Sequence, residues 1–289
     1  MRHFYPILRF AFVCVFAFIF NPTHAQVILT VAGSGEGDGS PATSASLNFP
    51  FSVAVDGSGN IYVADHNNNR VRMINTSGII STIAGTGHTG YFGDGGQATV
   101  AELNGPSGLA LDASGNLYIS DGGNNCIRKV NTSGIISTYA GNGNYGYKGD
   151  GGLANLAELY NPEGLAIDNS GNLYIADVYN YRVRMVNKST GIISTIAGDG
   201  NATYNGDGIN STSAELNVPT GLAIDGAGNI YIADQGNNRI RMINTSGIIS
   251  TIAGNGSYGY TGDGIQATTS ELFNPDGVMV DGSGNVYIA

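Results

Sequence analysis

The chain has few of the residues that form disulfides or bind transition metals. It contains no tryptophan, two cysteines and four histidines among 289 residues. Cys14 lies in an apolar N-terminal run, which leaves Cys126 as the single cysteine beyond it. One thiol cannot close an internal disulfide, so a small domain held together by disulfides is excluded. Cys126 has no histidine near it in the sequence, and we expect a packed, unreactive thiol.

Histidine is scarce as well, because only His66 and His88 lie beyond residue 25. A catalytic zinc ion takes about three protein ligands, so these two residues alone do not predict a metal site. Both are predicted to be solvent-exposed loop residues. Because loops carry binding residues, we keep both as candidates for ligand binding.

Basic charge is low. The chain has 12 lysines and arginines against 22 acidic residues, which gives a formal net charge of −10. Such a balance repels phosphate backbones, so nucleic acid is excluded as a partner.

Long apolar runs are missing except at the N-terminus. Residues 10–20 form an unbroken apolar run after Arg2 and Arg9. Small residues then stand at positions 23 and 25, where a cleavage site requires them. This pattern predicts a signal peptide over residues 1–25 and a mature domain over residues 26–289. No other segment reaches the roughly 20 apolar residues that a spanning helix needs, so no transmembrane helix is predicted. We expect the protein to be secreted, held at the cell surface or periplasmic.

What the chain does have is glycine, 45 residues of it, and an internal repeat. The stretch GNIYVAD at residues 59–65 returns in nearly the same form at residues 115, 171, 228 and 284, so the steps are 56, 56, 57 and 56 residues. A period in this range is typical of solenoids and propellers.

Each repeat contains four short strands separated by turn residues. In the second unit the predicted strands are residues 108–112, 117–120, 126–130 and 135–140. Asp, Asn, Ser and Gly fill the gaps and favour tight turns. Four antiparallel strands joined by hairpins form a propeller blade, so the pattern predicts an all-β propeller. The longer step is explained by one extra residue in the turn at 187–191, where an insertion leaves strand register intact.

The connections between units carry a Gly-Asp-Gly sequence and then a short polar element. In three connections this element reads Thr-x-x-Glu or an equivalent, as at residues 99–102. This is the capping-box pattern, so we predict one short helical turn in which the threonine caps and Glu102 reaches back.

The repeated GNLYIAD, the D-x-x-N-x-R-[IV]-R sequence that follows it, SGIISTIAG and the P-x-GLA segment together resemble the NHL-repeat family. The resemblance covers residues 26–289 and implies a β-propeller of six blades, of a kind often carried by exported proteins. In the second unit Cys126 replaces the first arginine of the motif. The sequence holds four complete blades and part of a fifth. Residues 27–33 match the fourth strand of a repeat, but the first three strands of that repeat do not precede them. We therefore expect an open fragment of a six-bladed ring, in which that strand would complete the last blade.

Aspartate and arginine recur at the hairpin between the second and third strands. The first arginine of the motif faces the aspartate across the turn, and its recurrence in several copies favours a structural ion pair over a catalytic group. The predicted pairs are Asp65 with Arg70, Asp177 with Arg182 and Asp234 with Arg239.

Two further sets of aspartates could bind calcium, each contributing one carboxylate per repeat. One set lies in the Asp-x-x-Gly-Asn turns (Asp56, Asp112, Asp168, Asp225, Asp281) and the other in Gly-Asp-Gly (Asp38, Asp94, Asp150, Asp207, Asp263). A calcium loop concentrates several oxygen ligands within about a dozen residues. We therefore favour a turn-forming role and no cofactor, with calcium as the alternative.

One face of the propeller collects the turns after each second strand and the long connections. Tyrosine is frequent there, and with asparagine and glycine it suits recognition of a partner by stacking and hydrogen bonding. The candidate binding residues are Tyr91, Tyr145, Tyr147, Tyr179, Tyr181, Tyr204, Tyr258 and Tyr260. The alternative is that these rings pack the connections against their own blades. Tyr179, Tyr181 and His88 are the stronger candidates because their positions differ between copies.

The sequence therefore predicts an exported propeller without catalytic activity that binds a protein or a carbohydrate through this loop face. The alternative is a propeller lyase or hydrolase whose metal site is completed by further C-terminal blades. No catalytic residue is predicted.

Overall fold

The computed structural model describes Ala32 and residues 37–289. Within them the chain forms 19 β-strands and nine 3-10 helices, and none of these helices is long and apolar enough to span a membrane. The predicted signal peptide and all but Ala32 of the predicted strand at residues 27–33 lie outside the described residues.

Four antiparallel sheets follow one another along the chain, three with four strands and one with a fifth short strand added, and a two-stranded sheet ends it. The predicted four-stranded blades are confirmed. Blade 1 consists of β1 (Pro50–Val55), β2 (Ile61–Asp65), β3 (Arg70–Ile74) and β4 (Ile80–Ala84). Blade 2 consists of β5 (Pro106–Leu111), β6 (Leu117–Asp121), β7 (Cys126–Val130) and β8 (Ile136–Ala140). Blade 3 consists of β9 (Pro162–Ile167), β10 (Leu173–Asp177), β11 (Arg182–Val186) and β12 (Ile193–Ala197). Blade 4 consists of β14 (Pro219–Ile224), β15 (Ile230–Asp234), β16 (Arg239–Ile243) and β17 (Ile248–Ala253), with β13 (Ile209–Asn210) added beside β17. The fifth sheet contains β18 (Val278–Val280) and β19 (Val286–Ile288).

The first strands of successive blades pack against one another, β1 on β5, β5 on β9, β9 on β14 and β14 on β18. They therefore form the inner side of the arrangement. The glycine of P-x-G-L-A permits this close approach, because a Cβ on Gly164 would lie 2.1 Å from the Thr220 carbonyl oxygen. Any larger residue at that position would push neighbouring blades apart.

The hydrophobic core lies between blades. One cluster joins Ala64 and Val71 of blade 1 to Ile119 and Ile136 of blade 2 and to Leu103 of the connection between them. Similar clusters join the following pairs of blades. Burial of this apolar surface is the main source of stability, so each blade depends on its neighbours.

The connection between two blades crosses the outer edge of the second one. We call these segments straps (residues 37–49, 85–105, 141–161, 198–218 and 254–277). In the strap before blade 2, Gly95 donates from its N–H to the Ile136 carbonyl at 2.8 Å, and Ile136 donates back to Gly96 at 3.0 Å. In blade 4 the same contact is regular enough to form β13 on β17. The straps therefore cover edges that would otherwise be open to further strand pairing.

Two kinds of 3-10 helix occur among the described residues. Four lie in the hairpins between the second and third strands: His66–Asn68, Gly122–Asn124, Val178–Asn180 and Gln235–Asn237. Five lie in the straps: Ala42–Ser44, Ala98–Val100, Ala154–Leu156, Ser211–Ser213 and Ala267–Thr269.

The strap helices confirm the predicted helical turn, but the predicted capping box is wrong. Helix Ala98–Val100 begins one residue before Thr99, its N-cap Gln97 makes no side-chain cap, and Glu102 lies beyond its end. The Glu102 N–H instead donates to the Phe92 carbonyl at 3.1 Å, because the strap folds back on itself there. The extra residue of the 57-residue step lies between β11 and β12, outside both strands, as predicted.

Candidate functional site

A buried aspartate at the end of each second strand organises the loop face. In blade 3, Asp177 is fully buried. Its Oδ1 accepts from the Tyr160 N–H at 2.7 Å, and its Oδ2 accepts from Asn180 Nδ2 at 2.8 Å and from Arg184 Nη1 at 3.1 Å. Burial raises the pKa of this carboxyl, while these hydrogen bonds and the Arg184 charge oppose that rise. The aspartate thus ties its own hairpin to the strap that precedes it.

Arg184 makes a second ion pair, with the Gly-Asp-Gly aspartate of that strap. Its Nη2 lies 2.6 Å from Asp150 Oδ1. Burial raises the pKa of Asp150, but hydrogen bonds from Thr195 and the charge of Arg184 hold it below its usual value overall. The same two-carboxylate arrangement occurs at Arg72 (Asp65, Asp38), Arg128 (Asp121, Asp94) and Arg241 (Asp234, Asp207).

The predicted ion pairs are therefore wrong in their choice of arginine. Asp65 is opposite Arg70 in the strand register, and the equivalent register places Asp177 opposite Arg182 and Asp234 opposite Arg239. The guanidinium of Arg70 nevertheless turns away and donates to the Thr86 carbonyl at 2.8 Å. Arg182 and Arg239 likewise donate to backbone carbonyls. The aspartate carboxylates are already filled by the strap N–H, the hairpin asparagine and the second arginine.

The aspartates of the Asp-x-x-Gly-Asn turns form the turns themselves. Asp112 Oδ1 accepts from the N–H groups of Ser114 and Asn116 at 2.9 Å, and Oδ2 accepts from Asn116 Nδ2 at 2.8 Å. Asp56, Asp168, Asp225 and Asp281 repeat these bonds. Within residues 37–289, no group of three or more His, Cys, Asp or Glu side chains is placed to hold a metal ion. The calcium alternative stays a prediction.

One set of the candidate tyrosines packs on the ion pairs. The Tyr147 ring centroid lies 3.7 Å from Arg182 Cζ and 4.8 Å from Arg184 Cζ, and Tyr204 lies 3.8 Å and 4.8 Å from Arg239 and Arg241. Tyr91 lies 4.9 Å from Arg128 Cζ. Tyr260, in the equivalent place, has its pKa raised first by a hydrogen bond to Asp263. The rings of Tyr91, Tyr147 and Tyr204 therefore pack straps against blades, which is the alternative that the repeated spacing favoured. Tyr260 is 76% exposed and makes no such contact among the described residues.

A second set forms an exposed aromatic cluster on blade 3. The ring centroids of Tyr145 and Tyr160 are 5.5 Å apart and those of Tyr160 and Tyr179 are 5.0 Å apart. These side chains are 72%, 39% and 47% exposed. Tyr160 was missed by the sequence reasoning, although a signal was present: Asn104 and Asn217 occupy its place in neighbouring repeats. A smaller pair, Tyr258 and Phe273, lies 6.2 Å apart at the next-but-one strap.

Tyr181 is half-buried and has a left-handed backbone, with φ of 54°. Asn69, Asn125 and Asn238 occupy its place elsewhere, and their Oδ1 atoms accept from the N–H of the next strap at 2.9–3.0 Å. Tyr181 carries no such acceptor. Its position is therefore one that the fold assigns to asparagine.

The two histidines differ in their surroundings. His88 is exposed, as predicted. The prediction is wrong for His66, which is half-buried and stacks on Phe51 with 5.6 Å between ring centroids. Its Nδ1 lies 3.2 Å from the Pro106 carbonyl, because the hairpin helix folds over the start of the next blade. Cys126 is fully buried, and burial followed by the Asp121 charge raises the pKa of its thiol, so it is the packed thiol that was predicted.

Two further carboxyls were overlooked by the sequence reasoning, one on the inner strand β9 (Glu163) and one just before β18 (Asp276). Burial, followed by the nearby Asp276 charge, raises the pKa of Glu163 to about 7, and a hydrogen bond from Asn161 opposes this rise. Asp276 accepts from Gln235 Nε2 at 2.6 Å. Glu163 and Asp276 occupy the same position of the repeat, directly after the proline of the P-x-G segment, and the other copies have Phe51, Ser107 and Thr220 there. This variation between copies could have identified both residues from the sequence.

The sheets, the straps and the repeated aspartate–arginine pairs define an NHL-type β-propeller. A family profile described as Teneurin NHL domain matches residues 26–92, 87–148, 143–205 and 200–260. The chain belongs to this family.

The relatives share this part of their length. Teneurin-4 of Mus musculus is 30% identical over 271 residues, which cover 80% of this chain and 10% of that protein. The chain thus spans about a tenth of the length of that relative.

Solved structures share the fold. A chain in a nidogen/laminin complex has a TM-score of 0.56 at 17% identity, covering 84% of this chain and 72% of that one. Virginiamycin B lyase from Staphylococcus aureus has a TM-score of 0.51 at 15% identity, covering 83% and 62%. At these identities the likeness shows the fold alone, and the lyase or hydrolase alternative stays a prediction.

Proposed function

We propose that this chain is an exported interaction propeller that binds a protein through the aromatic cluster of Tyr145, Tyr160 and Tyr179. The observation that carries the proposal is this exposed cluster, in which three rings occupy positions that hold small or polar residues in the other complete blades. The pattern of residues 1–25 supports export, and the membership of the teneurin NHL family supports an interaction role.

The physical argument rests on what exposed aromatic rings gain when they are covered. Each ring buries a large apolar area with few rotatable bonds, and tyrosine keeps a hydroxyl for hydrogen bonding at the rim. Aromatic residues are enriched among the few positions that dominate binding energy. The cluster has no structural duty equivalent to that of Tyr147 or Tyr204, since no arginine lies within cation–π contact of its rings among the described residues.

The test replaces the three tyrosines of the cluster by the residues that another repeat has at the same positions. Tyr145→Thr, Tyr160→Asn and Tyr179→Gly copy residues 89, 104 and 123 of the preceding unit, so the fold should be retained. Partners would be captured with the wild-type protein from the surface and medium of the producing cells and identified by mass spectrometry. The triple variant should lose most of the capture, by about tenfold or more in affinity.

The matched control changes Tyr258→Thr and Phe273→Asn, the pair at another strap, and should leave binding unchanged. Full binding by the triple variant would reject the cluster as the site. A wild-type protein that binds a glycan array but captures no protein would replace the protein partner by a carbohydrate.

A further inference from the structure

A cavity of about 570 Å³ opens on the loop face of blade 1. The polar residues that line it include Arg70, Arg72, Asp38, Asn68, Thr82 and Thr86. It lies at the place where the other complete blades carry a tyrosine ring from their strap.

Blade 3 shows how that place is filled. The Tyr147 hydroxyl donates to Asp150 Oδ2 at 2.9 Å and lies 3.0 Å from Thr195 Oγ1. Its ring lies against the guanidinium groups of Arg182 and Arg184. In blade 4 the Tyr204 hydroxyl donates to Asp207 Oδ2 at 3.0 Å, and in blade 2 the Tyr91 hydroxyl lies 2.5 Å from Thr138 Oγ1.

Blade 1 keeps all four groups that hold Tyr147, but no ring from the described part of the chain lies between them. By repeat position, Asp38, Thr82, Arg70 and Arg72 correspond to Asp150, Thr195, Arg182 and Arg184, and all four line the cavity. The strap is shorter here: five positions separate Gly33 from Asp38, against nine between the corresponding residues of blades 2, 3 and 4. The shortened stretch, residues 33–37, contains only Gly, Ser and Glu, so it supplies no ring.

The asparagine of the hairpin indicates a second group that a ligand should supply together with the ring, a backbone carbonyl. In blades 2, 3 and 4 its Nδ2 donates to the carbonyl of the residue before the tyrosine, at 2.7, 2.7 and 2.8 Å. In blade 1 the Nδ2 of Asn68 is bound to both oxygens of Asp65, at 3.0 and 2.9 Å. A backbone carbonyl supplied by a ligand would complete the arrangement seen in the other blades.

We propose that the blade 1 cavity is a binding site for a tyrosine of another polypeptide, with its phenol ring on Arg70 and Arg72. The hydroxyl would bond to Asp38 and Thr82, and the carbonyl before the tyrosine would accept from Asn68. Cation–π stacking and two hydrogen bonds to polar groups held in place make the site selective for a phenol. The site is separate from the aromatic cluster of blade 3, so either can fail without the other.

The test uses N-acetyl-glycyl-tyrosine N-methylamide as the probe, with isothermal titration calorimetry on the whole chain. We expect saturable binding at a single site. The phenylalanine analogue should bind about fivefold more weakly, because it lacks the hydroxyl that would add one hydrogen bond to the Asp38 and Thr82 pair. Arg70→Ala should weaken binding about tenfold, since it removes the stacked cation.

Two variants provide matched controls, one that adds a tyrosine ring to the blade 1 cavity and one that removes the ring from blade 3. Replacement of residues 33–37 by residues 141–149 brings in the strap tyrosine of blade 3 and should abolish binding. Tyr147→Ala empties the corresponding place in blade 3 and should add a second site. Circular dichroism would verify that both variants are folded.

Absence of saturable binding to the wild-type chain would overturn the proposal, as would binding unaffected by both Arg70→Ala and the strap replacement. Equal binding of p-cresol and the peptide would replace the polypeptide ligand by a small phenol and overturn the assigned role of Asn68.

Discussion

Each complete blade contains one arginine that contacts two carboxylates. Arg184 has no exposed surface and lies between Asp177 and Asp150, whereas Arg182 bonds only to backbone carbonyls and the Tyr147 ring. Desolvating a guanidinium is costly unless its partners remain in place. The two neighbouring arginines of the motif therefore differ in what their loss would do.

Arg184→Ala is expected to lower the free energy of unfolding by about 3–5 kcal/mol, because Asp177 would stay buried without its cation. Arg182→Ala should cost about 1 kcal/mol, the scale of a lost cation–π contact at a partly exposed site. Urea unfolding followed by circular dichroism would measure both. Equal losses would contradict the assignment of the buried pair to Arg184.

The sequence predicted a structural ion pair at each hairpin but selected the wrong arginine. Strand register alone places Arg182 opposite Asp177, so local spacing favours it. The deciding partner, Asp150, lies 34 residues before Arg184 and reaches it only through the strap. A contact of this range depends on how the strap crosses the blade, which no local pattern specifies.

Among the elements, the hairpin after each second strand also determines how blades are joined. An asparagine in the left-handed conformation ends its 3-10 helix and accepts a hydrogen bond from the next strap. Blade 3 has Tyr181 at that position, and the next strap has Val218 at φ of 53°. Both are unfavourable in the left-handed region, which asparagine tolerates better than bulky residues. The junction between blades 3 and 4 is therefore the weakest of this type.

Tyr181→Asn is expected to stabilise the protein by about 1 kcal/mol, through relief of backbone strain and a new hydrogen bond to the Val218 N–H. Differential scanning calorimetry would record this as a higher Tm. The reciprocal change Asn125→Tyr should lower Tm by a similar amount. A lower Tm for Tyr181→Asn would show that the tyrosine ring supports the junction.

Elements with local signals were the predictable ones. The second-unit strand at residues 126–130 was predicted with its observed bounds, because alternation and flanking turn residues mark it. The strap helix was placed correctly but given the wrong cap, since Thr99 and Glu102 have capping-box spacing without its geometry. The aromatic cluster was only partly predicted, because Tyr160 joins Tyr179 only once strap and hairpin meet on the loop face.

For the molecule as a whole, the repeat length governs assembly. Each strap that precedes a complete blade covers the outer edge of that blade, so the contacts between strap and blade recur once per period. Removal of one whole period should therefore preserve every type of contact.

A chain lacking residues 113–168 joins Asp112 to Asn169 and recreates an Asp-x-Ser-Gly-Asn turn. We expect it to fold with the β-sheet circular dichroism per residue of the full chain. A chain lacking residues 113–160, which removes part of a period, should be largely unfolded, because its strands would lose register with the core. Similar spectra for both chains would contradict the dependence on the period.

The strap has a consequence for inheritance as well. The outer edge of each complete blade is covered by the strap that precedes it. Recombination between two misaligned copies of the gene adds or removes whole repeats. The product then keeps a strap for every edge, whichever residue of the repeat marks the exchange. Copy number can then change in a single genetic step, and no new junction has to be selected before the lengthened protein folds.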